Sequence, residues 1–327
     1  MNNVIKNPLD FEKELIMQEV RLAELGERLN AGDEEVRKDY AELEEKVSKL
    51  RKETYKGLSV YQKVQISRHQ NRPLTLDYID LIFTDFVELH GDRCFRDDPA
   101  IVGGLAKLSG KSVIVIGHQR GKDMQERLKR NFGMAEPDGY RKSQRLFFMA
   151  EKFGLPVINF IDTAGAYPGI EAEERGQAQA IAKNLEILST LKTRIISVVI
   201  GEGGSGGALA LGVADRVLML QNACYSVISP EGCASILWGK DGEEVSLDRI
   251  KQSAELLKLT SQDLKKFGII DEIVEEPLGG AHRNYKEMAE VLKSSLFRNL
   301  KELEKLSIEE LTKKRYLKFR NIGDFSI

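Results

Sequence analysis

Glycines crowd one short segment of the chain, Gly201 to Gly207, where they occupy five of seven positions. The apolar run at residues 195–200 is typical of a buried strand, and the small residues that follow predict a helix over 206–213. Glycine lets the main chain approach a ligand closely. The first N–H groups of a helix have no partner inside it and favour an anion. The segment therefore predicts an anion or oxyanion site, with tight strand–helix packing as the alternative.

Three motifs overlap in this segment, and each is weak by itself. The spacing Gly201-x-Gly203-x-x-Gly206 fits a dinucleotide-binding turn, but residues 221–223 are Gln-Asn-Ala where that turn needs an acid. No lysine follows the glycines, so the segment is not a Walker A phosphate loop. The pattern Gly-x-Ser-x-Gly around Ser205 matches the nucleophile elbow of serine hydrolases, for which His282 is the downstream histidine. A serine hydrolase that uses Ser205 and His282 stays open.

A second glycine turn, residues 162–169 with the sequence Asp-Thr-Ala-Gly-Ala-Tyr-Pro-Gly, follows another apolar run at residues 156–161. Two such turns at the ends of neighbouring strands can direct N–H groups at one point from two sides, as in a two-donor oxyanion hole. A lone elbow serine does not explain the second turn. The pair therefore favours stabilisation of a developing negative charge by main-chain donors.

A basic segment lies between the predicted strands at residues 111–117 and 156–161. Residues 119–145 carry eight lysines and arginines against four acidic residues. A solvated basic face and electrostatic attraction of a phosphorylated cofactor or an acidic carrier domain are equally weighted interpretations.

The whole composition excludes several classes of protein. The 49 basic and 51 acidic residues give a net charge of −2, so no global positive field attracts nucleic acid or an anionic membrane. Three cysteines without a C-x-x-C pair and four scattered histidines predict no metal site in this chain. The first residues lack the apolar core of a signal peptide, and no apolar run approaches the ~20 residues that span a bilayer. We expect a cytoplasmic protein.

The elements that must position the two turns read as an α/β fold. Strands are predicted at residues 100–108, 111–117, 156–161, 194–200 and 216–220, with a hairpin turn at Ser109-Gly110. Continuous apolar strands indicate parallel strands buried on both faces, joined by helical crossovers. Helices are predicted over 77–90, 140–153, 171–191, 206–213, 230–238, 248–257 and 261–267, and from 285 to about 305.

The N-terminal region differs from the rest of the chain in composition and in the spacing of its apolar residues. Charged residues dominate from residue 9 to about 56, with apolar residues at helical spacing on both sides of a turn at residues 29–33. Asp33 is the expected N-cap of the second helix. The region predicts an antiparallel helical hairpin that packs on its own subunit or docks on a partner.

Eight segments in this order resemble the alpha subunit of the bacterial and plastid, multi-subunit acetyl-coenzyme A carboxylase carboxyltransferase. They are Gly117-His-Gln119, Arg130-Asn-Phe-Gly-Met134, Gly139-Tyr-Arg-Lys142, the turn at 162–169, Glu173-Glu-Arg-Gly-Gln177, the segment at 200–208, Tyr225 to Trp238, and Glu276-Pro-Leu-Gly-Gly-Ala-His-Arg283. The resemblance runs from the N-terminal hairpin to the C-terminal helices. Ala164 stands where the family usually has proline, which loosens that turn slightly.

The resemblance implies a fold and an assembly. The expected fold is a crotonase/ClpP-like spiral of ββα units, with a helical hairpin over residues 1–56, a carboxyltransferase domain over 57–300 and a helical tail over 301–327. The implied partners are a beta subunit of related fold, in an α2β2 heterotetramer, the biotin carboxyl carrier protein, and biotin carboxylase in a larger ATP-dependent complex. The family's zinc is expected in the beta subunit.

The resemblance also implies a reaction and roles for residues. The family transfers a carboxyl group from carboxybiotin to acetyl-coenzyme A, which gives malonyl-coenzyme A for fatty acid synthesis. The N–H groups of Gly206 and Gly207, opposed by those of Gly165 and Ala166, are the expected oxyanion donors. Residues expected to contact the cofactor are Gly203, Gly204, Ser205, Thr163, Ala164, Tyr167, Ser229, Pro230, Glu231 and Gly232. Substitution of Gly207 by valine is expected to fill the biotin site without unfolding the chain. The non-enzymatic alternative is an inert crotonase-like scaffold whose hairpin is the working surface.

Overall fold

A single eight-stranded sheet positions the two glycine turns in the computed structural model, which describes residues 8–239 and 244–323. The strands are β1 (Thr84–Glu88), β2 (Ile101–Leu108), β3 (Lys111–His118), β4 (Val157–Thr163), β5 (Ile195–Gly204), β6 (Arg216–Leu220), β7 (Cys224–Ser226) and β8 (Glu272–Val274). Their order is β1-β2-β3-β4-β5-β6-β8, and β7 pairs with the end of β5.

The sheet is antiparallel at one edge and parallel elsewhere. Strands β1 to β3 pair antiparallel, and each later pair, from β3–β4 onward, is parallel. Every residue of β4 and β5 is buried, as expected for strands covered on both faces. The β2–β3 hairpin turns at Ser109-Gly110, where both residues have positive φ as a two-residue hairpin turn requires. The predicted parallel α/β sheet and this hairpin are confirmed.

Fourteen α-helices surround the sheet in the described residues. They are α1 (Lys13–Asn30), α2 (Arg37–Tyr55), α3 (Val60–Ser67), α4 (Thr75–Ile82), α5 (Met124–Lys129), α6 (Pro137–Phe153), α7 (Ile170–Glu174), α8 (Gln177–Thr190), α9 (Ser205–Leu209), α10 (Pro230–Trp238), α11 (Leu247–Leu257), α12 (Ser261–Lys266), α13 (Tyr285–Leu303) and α14 (Ile308–Arg320). None of these helices is long and apolar enough to cross a membrane.

Several sequence-based boundaries were wrong. The strand predicted over 194–200 continues to Gly204, so the first glycines of the 201–207 segment belong to β5. The helix predicted over 77–90 ends at Ile82, and the next residues form edge strand β1, because that strand pairs with the distant β2. The helix predicted over 171–191 is two helices, divided at Gly176, whose φ of +83° is left-handed. The helix predicted over 206–213 is the short α9, which begins one residue earlier.

The predicted N-terminal hairpin is confirmed, and buried ionic contacts attach it to the core. Asp33 precedes the second arm but makes no side-chain cap; its carboxylate accepts from Arg28 instead. Glu12 Oε1 lies 3.3 Å from His282 Nε2, and Arg283 donates to both oxygens of Glu19 at 2.9 Å. Residues 1–7 and 324–327 of the predicted hairpin and tail lie outside the described residues.

The C-terminal helix α14 packs against the sheet through one buried arginine. Arg315 is 1% exposed and pairs with Asp215 through two hydrogen bonds of 2.8 Å. The same guanidinium donates to the carbonyls of Leu188, Leu191 and Thr193. A buried guanidinium is stable here because all of these acceptors satisfy its donors.

Candidate active site

The two glycine turns lie side by side at the carboxyl ends of β4 and β5. The strands are adjacent and parallel, and Thr163 pairs with Gly203 where they end. A Cβ on Gly204 would lie 2.1 Å from the carbonyl oxygen of Ala164, and one on Gly207 would lie 2.6 Å from the carbonyl carbon of Gly165. Main chain therefore packs on main chain, which explains the density of glycine. The prediction that the turns end neighbouring strands is confirmed.

Three of the four N–H groups expected to act as donors form no hydrogen bond with any residue that the structure describes. These are the N–H groups of Ala166, Gly206 and Gly207. The fourth, on Gly165, donates to Thr163 Oγ1 at 3.1 Å, and that hydroxyl donates to the carbonyl of Gly165 at 2.7 Å. Thr163 is thus a buried side chain that shapes the turn. The arrangement supplies donors from both turns.

The expectation for valine at position 207 needs a correction. A Cβ at Gly207 would meet the backbone of Gly165 and Ala166 at 2.6–2.8 Å, so the substitution would force the two turns apart instead of filling open space. Gly206 differs, because its Cβ would make an ordinary contact of 3.6 Å with Ile181. The two neighbours therefore respond differently to substitution.

An apolar pocket of about 350 Å³ opens beside the glycine segment at 201–207. Its lining is Ser205, Gly206, Leu209, Tyr225, Ser226, Val227, Leu257, Leu264 and Ile269. No charged side chain lines it, and two of its apolar residues are exposed, Val227 at 77% and Leu209 at 41%. Such a wall beside N–H donors suits an apolar ligand that presents a hydrogen-bond acceptor.

Five of the ten residues expected to contact the cofactor line a shallow second pocket. Gly203, Gly204, Ala164, Ser229 and Pro230 line it together with Arg68 and Glu202. The Ser229 hydroxyl accepts from the N–H of Gly232 and caps α10. Glu231, also on α10, pairs with Arg68 at 2.8 Å. Tyr167 lies in the turn at 162–169, where its N–H donates to the carbonyl of Ala135 and its ring would contact a Cβ on Gly169.

A chain of charged side chains underlies both turns, and the sequence did not reveal it. Arg68 joins Glu231 to Glu202, and Arg120 joins Glu202 to Asp162. Asp162 and Glu202 lie inside the glycine motifs, and these two acidic residues were the only feature in the motifs that could have indicated the charged chain. Their partners lie 42 to 134 residues away in sequence, so no spacing rule could pair them.

The structure does not assemble Ser205 and His282 into a catalytic pair. Ser205 is exposed, and no residue that the structure describes forms a hydrogen bond with its hydroxyl. The His282 side chain is fully buried, stacks on His69 at 4.3 Å and faces Glu12. The serine hydrolase interpretation therefore has no geometric support.

Glu12, His69 and His282 have the chemistry of metal ligands and lie within 4.8 Å of one another. The two imidazole planes are only 25° apart, so their in-plane lone pairs do not converge on one point. The Glu12 carboxylate already accepts from Tyr55, from the N–H of Leu9 and from His282. The cluster therefore attaches the N-terminal hairpin to the core through hydrogen bonds of Glu12.

The basic segment at 119–145 is largely an internal network. The Lys142 side chain is 1% exposed and donates to Asp97 and to the carbonyl of Asp98. Arg130 donates to Glu126 and to the carbonyl of Pro99. Of the eight basic side chains only Lys142 is buried; Lys122 and Lys129 are exposed, and the other five are half-buried. Attraction of an acidic partner by this segment stays a prediction.

Comparison with known proteins agrees with this geometry. The family model described as acetyl co-enzyme A carboxylase carboxyltransferase-like matches residues 8–323. An acetyl-coenzyme A carboxylase carboxyl transferase subunit alpha from Geobacter metallireducens is 56% identical, over 97% of this chain and 98% of that protein. The protein of that name from Thermus thermophilus is 51% identical over 98% of this chain and 99% of its own.

Solved structures show the same fold at lower identity. A transcarboxylase 12S chain superposes with a TM-score of 0.54 at 20% identity. The match covers 68% of this chain and 41% of the transcarboxylase chain. The beta subunit of a geranyl-CoA carboxylase from P. aeruginosa gives 0.51 at 14% identity, over 83% of this chain and 48% of its own. These likenesses confirm the crotonase-like carboxyltransferase fold. The chain belongs to the acetyl-coenzyme A carboxylase carboxyltransferase family, as a carboxyl transferase alpha subunit.

Proposed function

We propose that this chain, paired with a carboxyltransferase beta subunit, transfers a carboxyl group from carboxybiotin on a biotin carboxyl carrier protein to acetyl-coenzyme A. The product is malonyl-coenzyme A, which enters fatty acid synthesis. The observation that carries the proposal is the contact between the turns at 163–166 and 203–207, with N–H donors on both. Family membership supports the same reaction.

The residues of the site fit the ureido ring of biotin. An uncharged apolar wall lies beside Gly206, and the N–H groups of Gly206 and Gly207 belong to the first turn of α9. When bound, carboxybiotin supplies the carboxyl group and, once that group has left, a basic nitrogen. The donors of this chain would bind the ureido oxygen and stabilise the charge that develops there, at roughly 3 kcal/mol per donor.

No general base from a side chain is needed in this scheme. His118, the histidine at the end of β3 beneath the turns, is completely buried, and burial lowers its pKa to about 4. It is therefore neutral near pH 7 and lies out of reach of solvent. The chain's contribution is binding and electrostatic stabilisation.

The beta subunit completes the site in this proposal. The pocket beside Gly206 is open, and its exposed Val227 and Leu209 supply apolar surface for a partner. The proposed assembly is a cytoplasmic α2β2 heterotetramer. Its further partner is biotin carboxylase, which recharges the carrier protein in the ATP-dependent half of the reaction.

The test is formation of malonyl-coenzyme A from carboxybiotin and acetyl-coenzyme A. The chain alone is compared with the chain plus its cognate beta subunit. Activity in the mixture, with none in either subunit alone, supports the proposal. Two folded subunits that form a complex but no product would contradict it, and a fluorophosphonate probe on Ser205 would then test the hydrolase alternative.

A further inference from the structure

The pairing of β4 with β5 is irregular at the point where the two turns begin. Ile161 lies opposite Val199, but the next pair is Thr163 with Gly203. Strand β4 therefore has one residue between these pairs, and β5 has three. The ladder of backbone hydrogen bonds is interrupted there, so it does not fix the spacing between the two turns by itself.

Side chains occupy this interruption. The single intervening residue of β4 is Asp162, whose Oδ1 accepts from the N–H of Glu202 at 3.0 Å and from Arg120 Nη1 at 3.2 Å. Arg120 Nη2 donates to Glu202 Oε2 at 3.2 Å. Arg120 lies in the loop after β3, so its guanidinium bridges the ends of both strands. Arg72 adds a bond of 2.7 Å to the carbonyl of Ile200.

Charge and geometry favour arginine for this bridge. Burial raises the pKa of Asp162, and the Arg120 guanidinium opposes that shift. The guanidinium offers donors in a planar fork, which reaches two carboxylates at once, whereas an ammonium group is a point charge. Glu202 also accepts from Arg68 Nε at 2.9 Å, which holds its carboxylate from the other side.

We infer that Arg120 is a positioning residue of the transfer reaction: by bridging Asp162 and Glu202, it sets the distance between the N–H donors at Ala166 and those at Gly206 and Gly207. The inference rests on the proposed function. The turns touch through backbone at Gly204 and Gly207, so a change in strand spacing moves the donors directly. Displacement of about 1 Å in such a site costs roughly 100-fold in rate.

The experiment compares Arg120→Met and Arg120→Lys with wild type, each as the purified complex with the beta subunit. We expect Arg120→Met to lower kcat per assembled complex by about 100-fold, with the KM for acetyl-coenzyme A within about twofold of wild type. Arg120→Lys should recover part of the kcat, because lysine can pair with one of the two carboxylates. A merely structural role would change the amount of complex and leave its kcat unchanged.

Arg194 provides a matched control at the opposite end of β5. It is half-buried and donates to the carbonyls of Leu303 and Leu306 at 3.3 Å, away from the turns. Arg194→Met should lower the Tm and leave the kcat of the complex unchanged.

Each remaining outcome decides a different question. No transfer by the wild-type complex contradicts the proposed function. Wild-type transfer with undiminished kcat in Arg120→Met overturns the inference alone. If Arg120→Met does not fold, Arg120→Lys decides, because wild-type kcat in that variant would show that the forked bridge is not needed.

Discussion

Gly206 and Gly207 are adjacent in sequence, but their surroundings differ, and the difference gives a prediction at the scale of single residues. A methyl group on Gly207 would press on the backbone of Gly165 and Ala166, whereas one on Gly206 would only touch Ile181. We expect Gly207→Ala to cost about 1–3 kcal/mol of unfolding free energy and to lower kcat roughly 100-fold, because the donors move.

Gly206→Ala is the matched control for that variant. Its donor is a main-chain N–H group, which alanine keeps, so kcat should stay within a few-fold of wild type and the Tm should not fall. Thermal unfolding and turnover of the two complexes check both expectations. Equal losses in the two variants would show that the backbone contact between the turns is not the reason for glycine at position 207.

At the scale of elements, the N-terminal hairpin is held to the core by a few buried contacts. Arg283 donates to Glu19 on α1 and to the Tyr55 hydroxyl at the end of α2, so it joins both arms. Its side chain is 10% exposed, and removal of one partner of such a pair costs about 3 kcal/mol. We expect Arg283→Met to release the hairpin before the sheet unfolds.

Amide hydrogen exchange resolves this prediction, since protection should fall in α1 and α2 and persist in β4 and β5. Arg37→Met is the control. That arginine is 69% exposed and pairs with Glu34 three residues away, so its loss should cost less than about 1 kcal/mol. Uniform loss of protection in Arg283→Met would mean that hairpin and sheet unfold as one unit.

At the scale of the whole molecule, paired carboxylates connect distant parts of the chain and predict how stability depends on pH. Burial alone would raise the pKa of Glu12, but hydrogen bonds from His282, Tyr55 and the N–H of Leu9 lower it from 4.5 to about 2. Burial would also raise the pKa of Glu276, but the charge and hydrogen bonds of Arg72 outweigh burial, and the pKa is lowered. Such carboxylates bind protons more readily in the unfolded chain.

The stability that Glu12 contributes is therefore complete above about pH 4.5 and lost as the pH falls towards 2. Asp98 acts in the opposite direction, because burial raises its pKa from 3.8 to about 7. It therefore lowers the stability of the fold as the pH rises from about 3.8 towards 7. We expect urea unfolding to show a loss of stability between about pH 4 and about pH 2.5 that is smaller in Glu12→Gln. An identical loss in that variant would contradict the assignment.

The sequence by itself determined the local features. Apolar runs at β4 and β5 defined buried strands, because only apolar residues fill a sheet covered on both faces. Ser109-Gly110 defined a hairpin, because its backbone needs positive φ. The glycines at 201–207 and 162–169 indicated open N–H turns, and the motif order indicated the family. All of these depend on residues close together in the chain.

Only the tertiary structure decided what depends on distant residues. Residues 84–88 form a strand because they pair with the edge of the distant strand β2. Arg120, Arg130 and Lys142 of the basic segment have acidic or carbonyl partners in other segments of the chain. Arg120 faces Asp162 and Glu202 because the ladder between β4 and β5 is interrupted there. Each is a contact across many residues, and the folded chain alone brings those partners together.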